Sequence, residues 1–284
     1  FVHNAMWEMY NFRGELLQEL KAKGYEITVI CPPDEKNAHY FTDILGIRLL
    51  TVPMSRKGTN IKEDFQLVKN LFKVYKKEKF DLIFHHTIKP NIYGTLAAKL
   101  PRIKSVAITT GLGYVFLHNN ITSLIAKFMY KFSLAFANEV WFLNDDDMNI
   151  FLEKDLITER QAFKLPSEGI NTKRFVPKEK ERKDDKTVFL MIARVLYDKG
   201  FNEYLEAAKL IKAQRDDVEF QLLGAIDSGN PSGVPQNVVE EAIGNGFINY
   251  LGTTSDVLPV IREADCMVLP SYREGVSRVL MEAD

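Results

Sequence analysis

The sequence predicts an α/β protein made of two doubly wound parallel-sheet domains. Three observations carry that expectation. Short runs of β-branched and aromatic residues alternate with longer helical patterns from end to end. The alternation restarts after a charge run without apolar anchors, KEKERKDDK at residues 178–186, which reads as a linker. Hydrophobic residues make up 46% of the 284, enough for two cores. The expected domains are residues 1–165 and 166–284.

Taken in order, strand-like runs fall at 26–31, 48–52, 81–85, 105–109 and 139–143. Helical patterns lie around them at 12–23 (ended by Gly24), 61–79, 90–100 and 121–138. After the linker, strands are expected at 187–193, 218–223, 247–251 and 265–269, and helices at 202–214 and 256–263. A last helix is expected to open at Gly275. Residues 1–3 read as the tail of a strand and residues 281–284 stop inside a helical pattern. The chain is therefore expected to be part of a longer one, with an incomplete second domain.

The formal net charge is −1, which disfavours general nucleic-acid affinity. Its distribution is uneven. Residues 1–165 carry 22 Lys/Arg against 18 Asp/Glu, and residues 166–284 carry 15 against 20. A mildly basic first half suits an anionic partner or a membrane surface, and equally a solvated surface. Cys31 and Cys266 both sit in apolar runs and read as buried thiols, not as a disulfide framework. No signal peptide and no membrane-spanning run is apparent.

Doubly wound sheets bind ligands at the carboxyl ends of their strands, so the strand-end loops are where chemistry is sought. After the strand at 187–193 come Arg194 and Lys199, flanking a helix start. A planar fork, a point charge and backbone N–H groups together suit a diphosphate; surface cations are the bland alternative. Gly224 allows close backbone approach to a ligand, or simply a turn. Near the end, Glu274 and Glu282 bracket the expected helix start, with the N–H groups of Gly275, Val276 and Ser277 between them. On a regular helix the two acids are roughly 12 Å apart.

In the first domain, His85 and His86 end a strand and must point to opposite faces, so at most one readily meets a cleft, and His86 is favoured. A hydrogen-bonded structural histidine is the alternative. Asn144-Asp145-Asp146-Asp147 contains a DxD pattern, which helix capping explains without a metal. Gly111-Leu112-Gly113 lacks the third glycine of a dinucleotide fingerprint. The helix at 121–138 is apolar around most of its circumference, with Lys127 and Lys131 four apart; it reads as packed on the sheet or lying on a membrane. Lys69, Lys73, Lys76, Lys77 and Lys79 read as a solvated helix face or a weak membrane contact.

The pairing of Arg194…Lys199-Gly200 with Glu274…Glu282 resembles the donor site of family 4 retaining glycosyltransferases of the GT-B fold. Ser167-Glu168-Gly169-Ile170-Asn171…Phe175 resembles the entry to their second domain. Tyr10-Asn11-Phe12-Arg13, His86-Thr87-Ile88-Lys89, Gly111-Leu112-Gly113 and Met191-Ile192-Ala193-Arg194 resemble the branch that extends bacterial surface glycans on polyprenyl-diphosphate carriers. The resemblance spans the chain. It implies an acceptor-side first domain and a nucleotide-sugar-binding second domain facing a cleft.

The implied roles follow by position. Arg194 and Lys199 would bind the donor diphosphate, Glu282 the ribose, Glu274 the donor sugar, and Thr253 and Thr254 would sit near the base. Gly224, Gly275, Val276 and Ser277 would complete the donor site. His86, Lys89, Thr110, Gly111 and Arg13 would line the acceptor side. Several family members carry His where Thr110 aligns. Threonine cannot act as a base at neutral pH, so the implied proton acceptor is a donor phosphate oxygen. The implied donor is a UDP-sugar, with no cofactor and no metal, and the implied acceptor is a lipid-linked saccharide. A cytoplasmic enzyme with peripheral contact at the inner face of the membrane is expected. A nucleotide-sugar 2-epimerase and a non-catalytic nucleotide-sugar-binding subunit remain open alternatives.

Overall fold

The computed structural model describes residues 1–55, 60–112, 116, 121–177 and 186–284. Gly113 and the linker residues 178–185 lie outside the described residues. The chain divides into two compact units, Phe1–Glu168 and Gly169–Asp284.

In the first unit β1 (Thr28–Cys31) pairs in parallel with β2 (Arg48–Thr51). β3 (Leu82–His86), β4 (Lys104–Thr109), β5 (Glu139–Phe142) and β6 (Ala162–Lys164) pair in parallel in that order. Val2 joins the two sets, bridging Ile30 on one side and His85 on the other. Its N–H donates to the Phe84 carbonyl at 2.8 Å, and its own carbonyl accepts from His86 at 2.9 Å. The intervening helices are α1 (Met6–Ala22), α2 (Glu35–His39), α3 (Ile61–Glu78), α4 (Thr95–Lys99), α5 (Ile121–Leu134) and α6 (Asp145–Glu153).

Alternation along β1 explains why its residues are apolar on both sides. Val29 and Cys31 pack with Met6, Met9 and Leu17 of α1, while Ile30 packs with Leu67, Leu71 and Tyr75 of α3. Helices on both faces of a parallel sheet require this. Asn144 caps α6, its side chain accepting from the Asp147 N–H at 2.7 Å, so capping accounts for the DxD pattern.

In the second unit β7 (Thr187–Ile192), β8 (Val218–Leu223), β9 (Asn249–Gly252) and β10 (Cys266–Met267) form a parallel sheet in the order β10-β7-β8-β9. Its helices are α7 (Phe201–Lys212), α8 (Gln236–Gly244), α9 (Leu258–Glu263) and α10 (Arg278–Ala283). Phe201, Tyr204 and Leu205 of α7 pack on Met191, Phe220 and Leu222. The Tyr204 hydroxyl lies 2.9 Å from the carbonyls of both Phe189 and Gln221, tying β7 to β8.

Three expectations need correction. Cys31 is buried but Cys266 is exposed, because β10 is the edge strand of its sheet. α5 is neither wholly packed nor wholly free. Tyr130 and Leu134 enter the core, while Leu124, Ile125, Phe128 and Phe132 stand 62%, 57%, 67% and 52% exposed. The last helix opens at Arg278, not at Gly275. Ser277 is its N-cap, the Ser277 Oγ accepting from the Leu280 N–H at 3.3 Å, and a serine so placed outcompetes a glycine two residues earlier.

Candidate active site

In the second unit the carboxyl ends of β7, β8, β9 and β10 present the candidate donor residues. Beyond β7 the Ala193 N–H donates to Leu223 and the Val195 N–H to Ala225, which holds the loop extended along β8. Val195 and Leu196 are buried, so the loop is anchored at its centre and presents Arg194 and Lys199 at its flanks. Arg194 Nη1 lies 3.8 Å from Asp227 Oδ2.

The loop after β7 is stitched to the loop after β10. The Tyr272 N–H donates to the Asp198 carbonyl at 3.1 Å, and the Tyr272 hydroxyl donates to Glu203 Oε1 at 2.5 Å, holding the Glu203 carboxyl below the usual carboxylate range. Lys199 Nζ donates to Glu274 Oε1 at 2.6 Å. Gly200 makes this approach feasible. Its φ is +82°, and a Cβ there would come 2.2 Å from the Pro270 carbonyl oxygen. A Cβ on Gly224 would likewise fall 1.7 Å from the Ala193 carbonyl oxygen, so the ends of β7 and β8 can be this close only with glycine.

Because α10 begins at Arg278, Glu274 belongs to the loop and only Glu282 to the helix. The helical spacing expected between the two acids therefore does not apply. Gly275, Val276 and Ser277 are loop residues, and their N–H groups are not a helix start. Glu282 is oriented from within the helix, its Oε1 accepting from Arg278 Nε at 2.7 Å. Sequence reasoning passed over Arg278, although an Arg four residues before a Glu is the signal for such a pair. It also passed over Asp227, which lies in the long loop after β8. Thr253 and Thr254 are exposed beyond β9, and the Thr254 hydroxyl bonds both the N–H (3.1 Å) and the carbonyl (3.0 Å) of Asp256.

The first unit arranges its candidate residues differently. Arg13 is buried on α1 and paired with Glu168. Lys89 is buried, with Nζ 2.7 Å from Asp64 Oδ1 and 2.8 Å from Ser55 Oγ; the Tyr93 hydroxyl donates to the other oxygen of Asp64 at 2.8 Å. His85 and His86 do point apart. His85 meets the Tyr75 hydroxyl at 3.0 Å, and burial pushes its pKa down to about 3. His86 is 1% exposed, and neither ring nitrogen has a hydrogen-bond partner among the described residues. Burial first, then the Arg13 charge, holds its pKa well below the ordinary histidine value, so the ring is neutral. Thr87, directly after β3, has φ +73°, a left-handed conformation that non-glycine residues seldom adopt. Thr110 is exposed at the end of β4, followed by Gly111 at φ +137°.

Among the described residues, no group of three or more His, Cys, Asp or Glu is placed to hold a metal ion. Nor is any described helix long and apolar enough to cross a membrane.

Comparison with known proteins matches residues 1–144 to a family described as glycosyl transferase 4-like, and residues 172–283 to glycosyl transferases group 1. The chain is 32% identical over 302 aligned residues to the N,N′-diacetylbacillosaminyl-diphospho-undecaprenol alpha-1,3-N-acetylgalactosaminyltransferase of Campylobacter jejuni, covering all of this chain and 77% of that protein. It is 25% identical to the UDP-Gal:alpha-D-GlcNAc-diphosphoundecaprenol alpha-1,3-galactosyltransferase of Escherichia coli, covering 91% of this chain and 69% of that one. Among solved structures, HepE of Anabaena, crystallised with UDP and glucose, superposes with a TM-score of 0.74 at 17% identity, covering all of this chain and 77% of that one. A glycosyltransferase from Rickettsia africae gives the same TM-score at 22% identity, covering 99% of this chain and 75% of that one.

Proposed function

The chain belongs to the glycosyl transferases of the 4-like and group 1 type, and on that premise we propose that it transfers a hexose or N-acetylhexosamine from a UDP-sugar to a polyprenyl-diphosphate-linked saccharide, with retention at the anomeric carbon. The observation that carries the reading is the meeting of two strand-end loops in the second unit, where Lys199, on the loop that also bears Arg194, approaches Glu274 to 2.6 Å. The names of the two relatives support the substrates. One acts on a diphospho-undecaprenol-linked sugar, and the other takes UDP-Gal.

In this reading the bond from the anomeric carbon to the diphosphate oxygen breaks, and negative charge develops on UDP. Arg194 and Lys199 answer that charge as preorganised cations, so the mechanism needs neither metal nor cofactor. The donor diphosphate takes over the Lys199 ammonium, and Glu274 turns to the sugar hydroxyls. Glu282, held by Arg278, accepts from the ribose hydroxyls. Thr253 and Thr254 flank the base, and Gly224, Gly275, Val276 and Ser277 bring backbone close to the donor. The acceptor hydroxyl attacks the same face of the anomeric carbon, and its proton passes to a donor phosphate oxygen, so no protein base is required.

Thr110 and Gly111 serve the acceptor side of the first unit; His86, expected to meet a cleft, is buried, and with Arg13 and Lys89 in their ion pairs it holds that side in shape. The exposed face of α5 rests on the bilayer surface, at the inner face of the cytoplasmic membrane, where a polyprenyl carrier resides. Leu124, Ile125, Phe128 and Phe132 supply the apolar contact. Lys127 and Lys131 on the same helix attract anionic headgroups.

A panel of nucleotide sugars, each with and without a polyprenyl-diphosphate sugar, tests the reading through nucleotide release in EDTA. Acceptor-dependent release of UDP is expected. Release confined to a GDP-sugar, or abolished by EDTA, contradicts the donor or metal-free part of it. Sedimentation with phosphatidylglycerol vesicles tests the membrane contact: Phe128→Glu should release the protein into the supernatant.

A further inference from the structure

A cavity of about 520 Å³ opens in the first unit at the carboxyl ends of Val2 and β1, within the roughly 300–1,000 Å³ of small-ligand clefts. The residues assigned to the acceptor side above do not line it. Its wall is formed by the segment entering α1 and the segment leaving β1. Trp7 contributes an indole that is 42% exposed, buttressed edge-on by Phe12 with ring centroids 6.3 Å apart. Pro33 adds a second apolar surface, and Asn4, Glu8, Asp34 and Asn37 supply polar groups.

Asp34 and Asn37 hold each other in place. Asp34 Oδ1 accepts from the Asn37 N–H at 3.2 Å, and Oδ2 accepts from Asn37 Nδ2 at 2.7 Å. His3 Nδ1 accepts from the Ala5 N–H at 3.0 Å, so the neutral ring carries its proton on Nε2, which faces Glu8 Oε2 at 4.0 Å. Two chemistries compete for such a cavity. The start of α1 offers backbone N–H groups, and Ala5 provides no side-chain cap, which alone would suit an anion. Two carboxylates on the same wall oppose an anion and suit a donor of hydroxyl hydrogen bonds. A large flat ring beside fixed carboxylate and amide acceptors matches a neutral polyol with one apolar face.

We propose that this cavity is an acceptor-sugar subsite: one pyranose ring stacks its C–H face on Trp7 and donates hydroxyl hydrogen bonds to Glu8 and Asp34. The assignment rests on the transfer reading above and deepens it, making Trp7 and Glu8 determinants of acceptor specificity.

The test uses the whole chain carrying Trp141→Phe, which leaves Trp7 as the only indole, since the sequence has 2 tryptophans. The probes are the methyl α-glycosides of N-acetylgalactosamine, N-acetylglucosamine, galactose and glucose, with inorganic pyrophosphate as the anionic alternative. A saturable change in Trp7 fluorescence with at least one glycoside, weakened by Glu8→Gln and absent with pyrophosphate, is expected. No response to any glycoside, or a response to pyrophosphate alone, overturns the assignment. In turnover assays Trp7→Ala should raise the acceptor KM about tenfold or more and leave the UDP-sugar KM within about twofold, with Trp7→Phe intermediate. If the wild type transfers sugar and Trp7→Ala matches it in acceptor KM, the subsite fails and the transfer reading stands. If the wild type binds a glycoside but transfers to no lipid-linked saccharide, the transfer reading fails, and with it the acceptor role, while the cavity stands as a sugar-binding site.

Discussion

Arg13 and Lys89 in the first unit are buried against Glu168 and Asp64, whereas Arg194 and Lys199 in the second stand 58% and 22% exposed on strand-end loops, beside Asp227 and Glu274. All four cations have carboxylate neighbours, yet burial separates what the pairs can do. A buried pair cannot exchange its partner without stranding a charge, so it acts as scaffold. A pair that is partly exposed is worth less by itself, and a better anion can replace its carboxylate. A diphosphate, with its greater charge and several oxygens, is such an anion.

Breaking the scaffold should give the largest effect. Asp64→Ala strands Lys89 and removes the acceptor of the Tyr93 hydroxyl, and it should cost about 3–5 kcal/mol in urea unfolding. A loss below about 1 kcal/mol would put Lys89 in the same class as the surface cations. Acid should act next. His85 and His86 are neutral in the fold, with pKa values depressed by burial. The unfolded chain takes up these protons below about pH 6.5, while folded His85 holds out until about pH 3. Stability is therefore intact above pH 6.5 and falls as pH drops below it, by roughly 1.4 kcal/mol per pH unit for each histidine. Urea midpoints at pH 7, 6 and 5 should show this slope, and His86→Gln should halve it.

Smaller effects sharpen the other side of the comparison. Arg278→Ala frees the Glu282 carboxylate and should raise the donor KM about tenfold with a lesser change in kcat, partly restored by Lys. Equal loss in kcat would mean that the pair acts in the transition state. Ser277→Ala should cost about 1 kcal/mol, localised to α10 in hydrogen exchange.

Much of this architecture was legible in the sequence. The runs that became β1 and the centres of β3 and β4 are buried and mostly apolar, while β8 alternates, with Val218, Phe220 and Leu222 buried and Glu219 and Gln221 half-buried. β6 has only three residues, Ala162–Lys164, too few to show a period. α8 follows Pro235 and merged with the glycine-rich loop before it. Val2 fills a strand position by itself, visible only once Ile30 and His85 flank it. The candidate site divides in the same manner. Arg194, Lys199, Glu274 and Glu282 could be read from local spacing at strand ends. The partnership of Lys89 with Asp64, 25 residues apart, depends on the packing of α3 on the sheet and carries no local signature. The start of α10 was missed because a glycine beside an acid resembles a helix entrance, whereas the serine two residues later is the better cap.

The central claim is that Arg194 and Lys199 stabilise the departing UDP. Single-turnover release of UDP in the presence of a lipid-linked acceptor measures it directly, on Arg194→Ala and Lys199→Ala proteins whose urea midpoints match the parent. The rate should fall by about 10²–10³ in each, as for loss of a preorganised charge-stabilising donor. Near-parental release from both proteins would contradict the account.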